Sequence, residues 1–347
     1  MAGLVVVTMY CVGRTSRPVP DSALVLLVLG DFGVDPSDSK FASEYASSER
    51  VLNALNAEAG RYLANDIPTK LLLTGDLVYP SGTIENASRL DHLFSTRLGE
   101  RLGELAKLDK FAVPGNHDCE GSLSFWAEFQ QSQPQHRWKS VGGRKANELF
   151  GERQFPTPWG GKVRLVSLET CSLVCAGGAG EEGGNFRCQG ENMGKYALHD
   201  EFASLRERQL KWLEDEVAPK RAGDWLIVMG HFPLYSFRGN GPTSELQGLL
   251  LKWMQSRKVD AYLSGHDHAL QRIVSTDSLQ FLVSGAGGYP LHLTLKADAD
   301  STANTKASLM QIQDEPGFMT LEFTSPTSLG IYFINQHHQV TSKSTIP

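Results

Sequence analysis

Residues 263–271 read LSGHDHALQ. Two histidines, His266 and His268, flank an aspartate directly after a short apolar run. On an extended or turning backbone, side chains two apart can point the same way. Both imidazoles can then converge on one metal centre. Histidine pairs also occur on surface turns, so the reading depends on what stands at equivalent places elsewhere.

The same beginning, a short apolar run closed by glycine, recurs along the chain: ALVLLVLG (23–30), KLLLTG (70–75), KFAVPG (110–115), WLIVMG (225–230) and AYLSG (261–265). VRLVSLE (163–169) and QFLVSGAGG (280–288) are further runs of this kind. Their continuous apolar character, without alternation, predicts strands buried on both faces. Helical spacing covers 49–64, 89–108 and 204–217, with Val51, Leu52, Leu55, Ala59, Tyr62 and Leu63 near one face of the first. GFMTLEFTS and LGIYFINQ predict an antiparallel hairpin near the end. Residues 176–194 (rich in glycine and acid) and 296–314 (polar) predict loops. With no fixed-period repeat and no clean linker, the chain reads as one layered α/β domain over 23–347, behind an N-terminal lead at 1–22.

The chemistry gathers just past the strands. Asp31 follows VLG, and Asp76 follows LLLTG with Tyr79 three residues on. Asn116, His117 and Asp118 follow FAVPG, His231 follows LIVMG, and His266 and His268 follow AYLSG. In an α/β sheet, residues beyond the carboxyl ends of strands line a common crevice. Taken singly, each has an ordinary explanation: Asp and Asn after a glycine serve turns and helix caps, and a lone histidine is often a core residue. Capping does not account for five repeats of strand, glycine and ligand, the final two of them supplying histidine. The constellation predicts a metal site.

Five blocks, GDFG (30–33), GDLVY (75–79), GNHD (115–118), GHFP (230–233) and GHDH (265–268), stand in the order of the calcineurin-like metallophosphoesterases. The tyrosine of GDLVY makes the chain resemble their purple acid phosphatase branch, in particular the small, tartrate-resistant type. This resemblance implies a metallophosphoesterase β-sandwich of two mixed sheets flanked by helices. It implies Asp31, Tyr79 and His268 as ligands of a ferric ion. Asn116, His231 and His266 would hold a divalent ion (Fe(II), Zn(II) or Mn(II)), with Asp76 bridging the two. Phenolate and carboxylate oxygens suit hard ferric iron, whereas two imidazoles and an amide oxygen suit a divalent ion. The implied reaction is hydrolysis of phosphate monoesters, a metal-activated hydroxide attacking phosphorus in line. His117 would protonate the leaving group or bond the phosphate, with Asp118 orienting it. The chain departs from the small purple phosphatases at Phe32 (usually Trp), at Leu77 and Val78 within GDLVY (usually GDNFY) and at Cys119 (often His). None of these changes removes a ligand. The resemblance also implies that the 176–194 loop can cover the site and depress activity. Open alternatives are a phosphodiesterase or nucleotidase with two divalent metals, a non-catalytic scaffold, and redox chemistry at the iron pair.

The bulk numbers constrain partners. A net charge of −6 argues against a whole-surface attraction to nucleic acid or anionic lipid, while a metal pair can supply positive charge locally. The expected partners are small phosphorylated substrates or phosphoproteins, with no nucleic-acid scaffold. The apolar run at 2–13 is far below the roughly 20 residues of a membrane span. It has the length of a signal-peptide core but no preceding Lys or Arg, and a short buried strand is an equal reading. Three of the five cysteines (Cys171, Cys175, Cys188) crowd together. They suit either a loop-clamping disulfide or free buried thiols. With the sequon at Asn86 they point toward a secreted or lysosome- or vacuole-like destination.

Overall fold

Each continuous apolar run forms a strand, because each is covered on both sides. The computed structural model describes residues 21–34, 39–79, 97–98, 103–119, 137, 139, 141, 149–175, 199–295 and 307–346. Most of the N-terminal lead, Cys11, the Asn86 sequon, most of the 89–108 helix, the 176–194 loop and Cys188 lie outside the described residues. The strands are β1 (Leu24–Leu29), β2 (Thr69–Leu73), β3 (Asp109–Ala112), β4 (Gly151–Pro156), β5 (Lys162–Ser167), β6 (Trp225–Met229) and β7 (Ala261–Ser264). They continue with β8 (Leu270–Ser275), β9 (Gln280–Ser284), β10 (Ala307–Gln313), β11 (Gly317–Ser325), β12 (Ser328–Asn335) and β13 (Val340–Ile346). The helices used below are α1 (Ala42–Leu63), α2 (Gly103–Ala106), α3 (Asn116–Cys119), α4 (Thr170–Cys175), α5 (His199–Asp215) and α6 (Ser244–Arg257).

Two mixed sheets form. One has the order β13-β12-β11-β1-β2-β3 and the other β10-β8-β9-β7-β6-β5-β4. In the first sheet β1, β2 and β3 run parallel, while β11 returns antiparallel beside β1, Val25 facing Glu322. In the second, β5, β6, β7 and β9 run parallel. Leu24, Leu26 and Val28 of β1 join Leu165, Ile227, Leu263 and Leu282 in the core between the sheets. Alternate residues Val25, Leu27 and Leu29 turn to the other side and pack with Val51, Leu55, Ala59 and Tyr62 of α1. This α/β sandwich with helices outside matches the expected architecture.

Four strands go beyond the apolar runs. β10 lies wholly inside the polar stretch 296–314, which is therefore not all loop, and β4, β8 and β13 add to the predicted set. Their faces are partly solvent-exposed, β13 showing strict alternation of intermediate and exposed residues, so they lack the unbroken apolar runs of the central strands. Among the described residues no helix is long and apolar enough to cross a membrane.

Candidate metal centre

The parallel strands of both sheets end at one edge of the sandwich, and the chain must turn sharply there. Three of the expected ligands sit in the left-handed region: Asp31 (φ 59°), Asp76 (φ 53°) and His266 (φ 64°). For residues with a Cβ this conformation costs about 1–3 kcal/mol each and persists where surrounding structure imposes it, often at functional sites. The glycine before each ligand has a steric reason. A Cβ on Gly115 would lie 2.2 Å from Asp76 Oδ1, and one on Gly265 would lie 2.5 Å from Asp31 Oδ2. At these two positions the glycine is clearance for a carboxylate; a Cβ on Gly30, Gly75 or Gly230 would instead meet Thr74 Oγ1, His231 Nδ1 or Tyr262 Oη at 2.3–2.5 Å.

The side chains gather in two groups. In one, Tyr79 Oη lies 3.2 Å from Asp31 Oδ1 and 3.4 Å from His268 Nε2. Asp31 Oδ1 and His268 Nε2 are 3.5 Å apart. In the other, Asn116 Oδ1 lies 2.9 Å from His231 Nε2 and 2.8 Å from His266 Nδ1. Asp76 stands between them, Oδ2 at 3.0 Å from Tyr79 Oη and Oδ1 at 3.5 Å from His231 Nε2. The ligand atoms of Asp76, His231 and His266 all lie within 4.8 Å of one another. His266 and His268 thus turn to different groups, the left-handed turn at His266 separating them. One group offers hard oxygens with one imidazole and the other an amide oxygen with two imidazoles, donor sets that suit ions of different hardness.

Electrostatics favour a cation here. Asp31, Asp76 and Tyr79 are all buried, at 0%, 1% and 2% exposure. Burial, and then the Asp76 carboxylate, hold the Asp31 carboxyl well above its ordinary pKa. Burial and the two carboxylates do the same to the Tyr79 phenol. Burial opposes ionisation of Asp76 too, yet the imidazoles of His231 and His117 outweigh it and bring Asp76 below the usual carboxylate value. Burial, and then His292, bring His268 down to about 4, leaving a neutral ring able to coordinate. Two acids and a phenol this close cannot all ionise unless positive charge arrives with them. Cation uptake must therefore release protons and weaken as pH falls.

Two supporting contacts on His231 come from residues the motifs did not single out, Thr74 and Thr170. The backbone oxygen of Thr74 lies 2.8 Å from His231 Nδ1, which leaves Nε2 for the site. Thr170 Oγ1 accepts from the His231 amide at 3.1 Å. The His117 amide donates to Asp76 Oδ1 at 3.0 Å, and its half-buried ring lies 4.5 Å from that of Tyr79. Asp118, expected to orient His117, has another task. Its carboxylate accepts from the amides of Gly115 (2.8 Å), Leu77 (3.0 Å) and Val78 (3.2 Å). It ties the loop after β3 to the loop after β2, and so aligns Asn116 with Asp76.

Cys119 is not a free thiol, and Cys171 pairs outside the 171–188 cluster. The two form a disulfide across 52 residues. The bond joins α3, behind the first sheet's last parallel strand, to α4, which follows β5 of the second. Both sulfurs are spent in it, so their proximity to Glu169 is not a second metal site. Glu169 instead accepts from the amides of Cys171 (2.6 Å) and Ser172 (3.0 Å), capping α4. Cys175 is also disulfide-bonded.

Comparison with known proteins agrees with this arrangement. Residues 24–270 match the calcineurin-like phosphoesterase family. The chain is 27% identical over 270 residues to human tartrate-resistant acid phosphatase type 5, covering 77% of this chain and 74% of that one. Among solved structures, the inner-membrane-complex anchor GAP50 of Plasmodium aligns with a TM-score of 0.60 at 17% identity, over 93% of this chain and 88% of that one. The purple acid phosphatase of yellow lupin seeds aligns with 0.55 at 18%, over 95% and 55%. At these identities the structures speak for the fold alone, and an anchor and a phosphatase share it, so function must be argued from the site. Motif order, sandwich topology and the matched span together place the chain in the calcineurin-like phosphoesterase family, with the tartrate-resistant and purple acid phosphatases as the relatives it is most usefully compared with.

Proposed function

We propose that the chain is a metal-dependent acid phosphatase acting on phosphate monoesters. A ferric ion would be held by Asp31, Tyr79 and His268, and a divalent ion by Asn116, His231 and His266, with Asp76 between them. The observation that carries this reading is the disposition of Asp76, whose two carboxylate oxygens face the two groups separately. When bound, such a pair supplies an activated water for in-line attack and neutralises charge on the phosphoryl oxygens.

The protein's own residues do the rest. Asp31 and Asp76 keep their donor atoms fixed through backbone contacts, Asp31 Oδ2 accepting from the His266 amide at 3.0 Å. The rings of His231 and His268 present one nitrogen each, the other being turned to a backbone oxygen. His117 is anchored to Asp76 by its backbone but keeps a partly exposed ring at the rim. That position suits proton donation to the departing alkoxide. Small phosphorylated molecules and phosphoproteins are the substrates proposed. The buried Cys119–Cys171 disulfide suits an oxidising compartment, in keeping with a secreted or lysosome- or vacuole-like destination.

Leaving-group chemistry tests this reading. His117→Ala should lower kcat on an alkyl phosphate by about 10²–10⁴-fold, the usual contribution of a positioned acid. On nitrophenyl phosphate, whose leaving group needs no proton, the loss should be much smaller. Equal losses on both would assign His117 to phosphate binding. A wild-type enzyme that ignores monoesters and cleaves diesters or nucleotides would overturn the proposed substrate class.

A further inference from the structure

The segment after β9, a glycine-rich strand end in sequence, contacts all three residues of one half of the centre: the Tyr79 and His268 rings and the Asp31 backbone. Tyr289 lies face to face on Tyr79, ring centroids 3.9 Å apart and planes 8° from parallel. Its edge meets the His268 ring at 5.1 Å, and Phe41 packs against it at 5.4 Å. The Tyr289 amide approaches the backbone oxygen of Asp31 at 3.3 Å. The next residue, Pro290, places its backbone oxygen 2.8 Å from His268 Nδ1, which makes Nε2 the coordinating nitrogen. Two residues on, the His292 ring stacks on His268 at 4.3 Å and 16°, and the His292 amide donates to the His268 backbone oxygen at 3.1 Å. His292 Nδ1 is in turn held at 2.6 Å by Asp267, the aspartate between the two histidines. Buried Asp267 is also fixed by Ser236, by Gln271 Nε2 (2.9 Å) and by the Asn240 amide (3.1 Å). The strap is itself tied down, the Gly287 amide donating to the Gly30 backbone oxygen at 3.1 Å.

The three donors of this half come from loops after three different strands, β1, β2 and β7. Segment 289–292 is the element that reaches all three. Histidine and phenol ligands need partners that fix ring orientation, and such outer contacts commonly govern metal affinity. The parallel Tyr289 ring, 3.9 Å away, restricts rotation of the Tyr79 ring about its own axis. The other half is oriented from different places: Thr74 and Thr170 for His231.

We propose that Tyr289, backed by Pro290 and His292, is the positioning residue of the Asp31/Tyr79/His268 half. It holds the Tyr79 phenol oxygen and His268 Nε2 on a common point, and so sets the affinity and electronic character of the metal bound there. This inference deepens the function proposed above and rests on its assignment of Tyr79 and His268 as ligands.

The test is a pair of variants, Tyr289→Leu and Tyr289→Phe, with stepwise Zn²⁺ binding by calorimetry on metal-stripped protein and the visible spectrum of iron-loaded protein. Tyr289→Leu should weaken one of two zinc-binding steps by about 10–100-fold, the range for losing an outer partner of a ligand. The other step should be unchanged. Any tyrosinate–iron band should shift or broaden in this variant, and Tyr289→Phe, which keeps the stack, should restore wild-type behaviour in both readouts. Unchanged zinc steps in Tyr289→Leu would overturn the proposal. So would equal weakening of both steps, since that is the mark of general destabilisation. A colourless wild-type protein would defeat the iron assignment, while the zinc measurement would still decide the role of Tyr289.

Discussion

Asp76→Asn should empty both halves of the centre at once and lower phosphatase activity by at least about 10³-fold. Removing one preorganised electrostatic group from an active site commonly costs about 10²–10³ in kcat, and this substitution also removes the charge that both ions share. Asparagine keeps the size of aspartate and an acceptor for the His117 amide, now 3.0 Å from Oδ1. It cannot present two anionic oxygens to two sides. The carboxylate repulsion that helps raise Asp31 also disappears, so the metal-free variant should melt close to metal-free wild type and differ from it in metal content. Metal analysis, melting and kinetics on one preparation check this. A variant that keeps either metal at wild-type affinity would mean that Asp76 belongs to one half only.

The two histidines of the 263–271 turn should behave differently, although one residue separates them. His268→Ala should strip the metal proposed to bind Tyr79, while His266→Ala should chiefly weaken the other proposed ion. The expected loss is well above tenfold in the affected half, because losing a ligand costs more than losing its outer partner. The reason is geometric. The positive φ at His266 turns its Nδ1 toward Asn116 Oδ1 at 2.8 Å. His268 Nε2 emerges on the opposite side, 3.5 Å from Asp31 Oδ1. Single-metal titrations of both variants check the split, and loss of the same metal from both would refute it.

How far the sequence revealed the site follows from how each part is built. The proposed ligands were legible because each stands within a few residues of the end of a doubly buried strand, and because close neighbours force glycine at the turn, as at Gly115 and Gly265. Periodicity and spacing see such features directly. Tyr289 and His292 follow a glycine run with no period, and their roles exist only through contacts with Tyr79, His268 and Asp267, distant in the chain. Asp118 was visible as a charged residue beside the site. Its partners were not, since two of the three amides it holds belong to the loop after β2. The Cys119–Cys171 pairing joins the two sheets across 52 residues, and cysteine spacing alone cannot specify such a connection. The half-exposed strands β10 and β13 carry mixed residues, which a search for apolar runs passes over.

Tyr79 Oη is proposed as a ligand to ferric iron and not a packing group beside it. The most direct measurement is the visible absorption spectrum of the purified protein before and after mild reduction. A purple or pink tyrosinate-to-iron band that shifts on reduction, and is absent from Tyr79→Phe, is the expected result. A colourless protein carrying two divalent ions would contradict it, leaving Tyr79 a structural neighbour of a different metal pair.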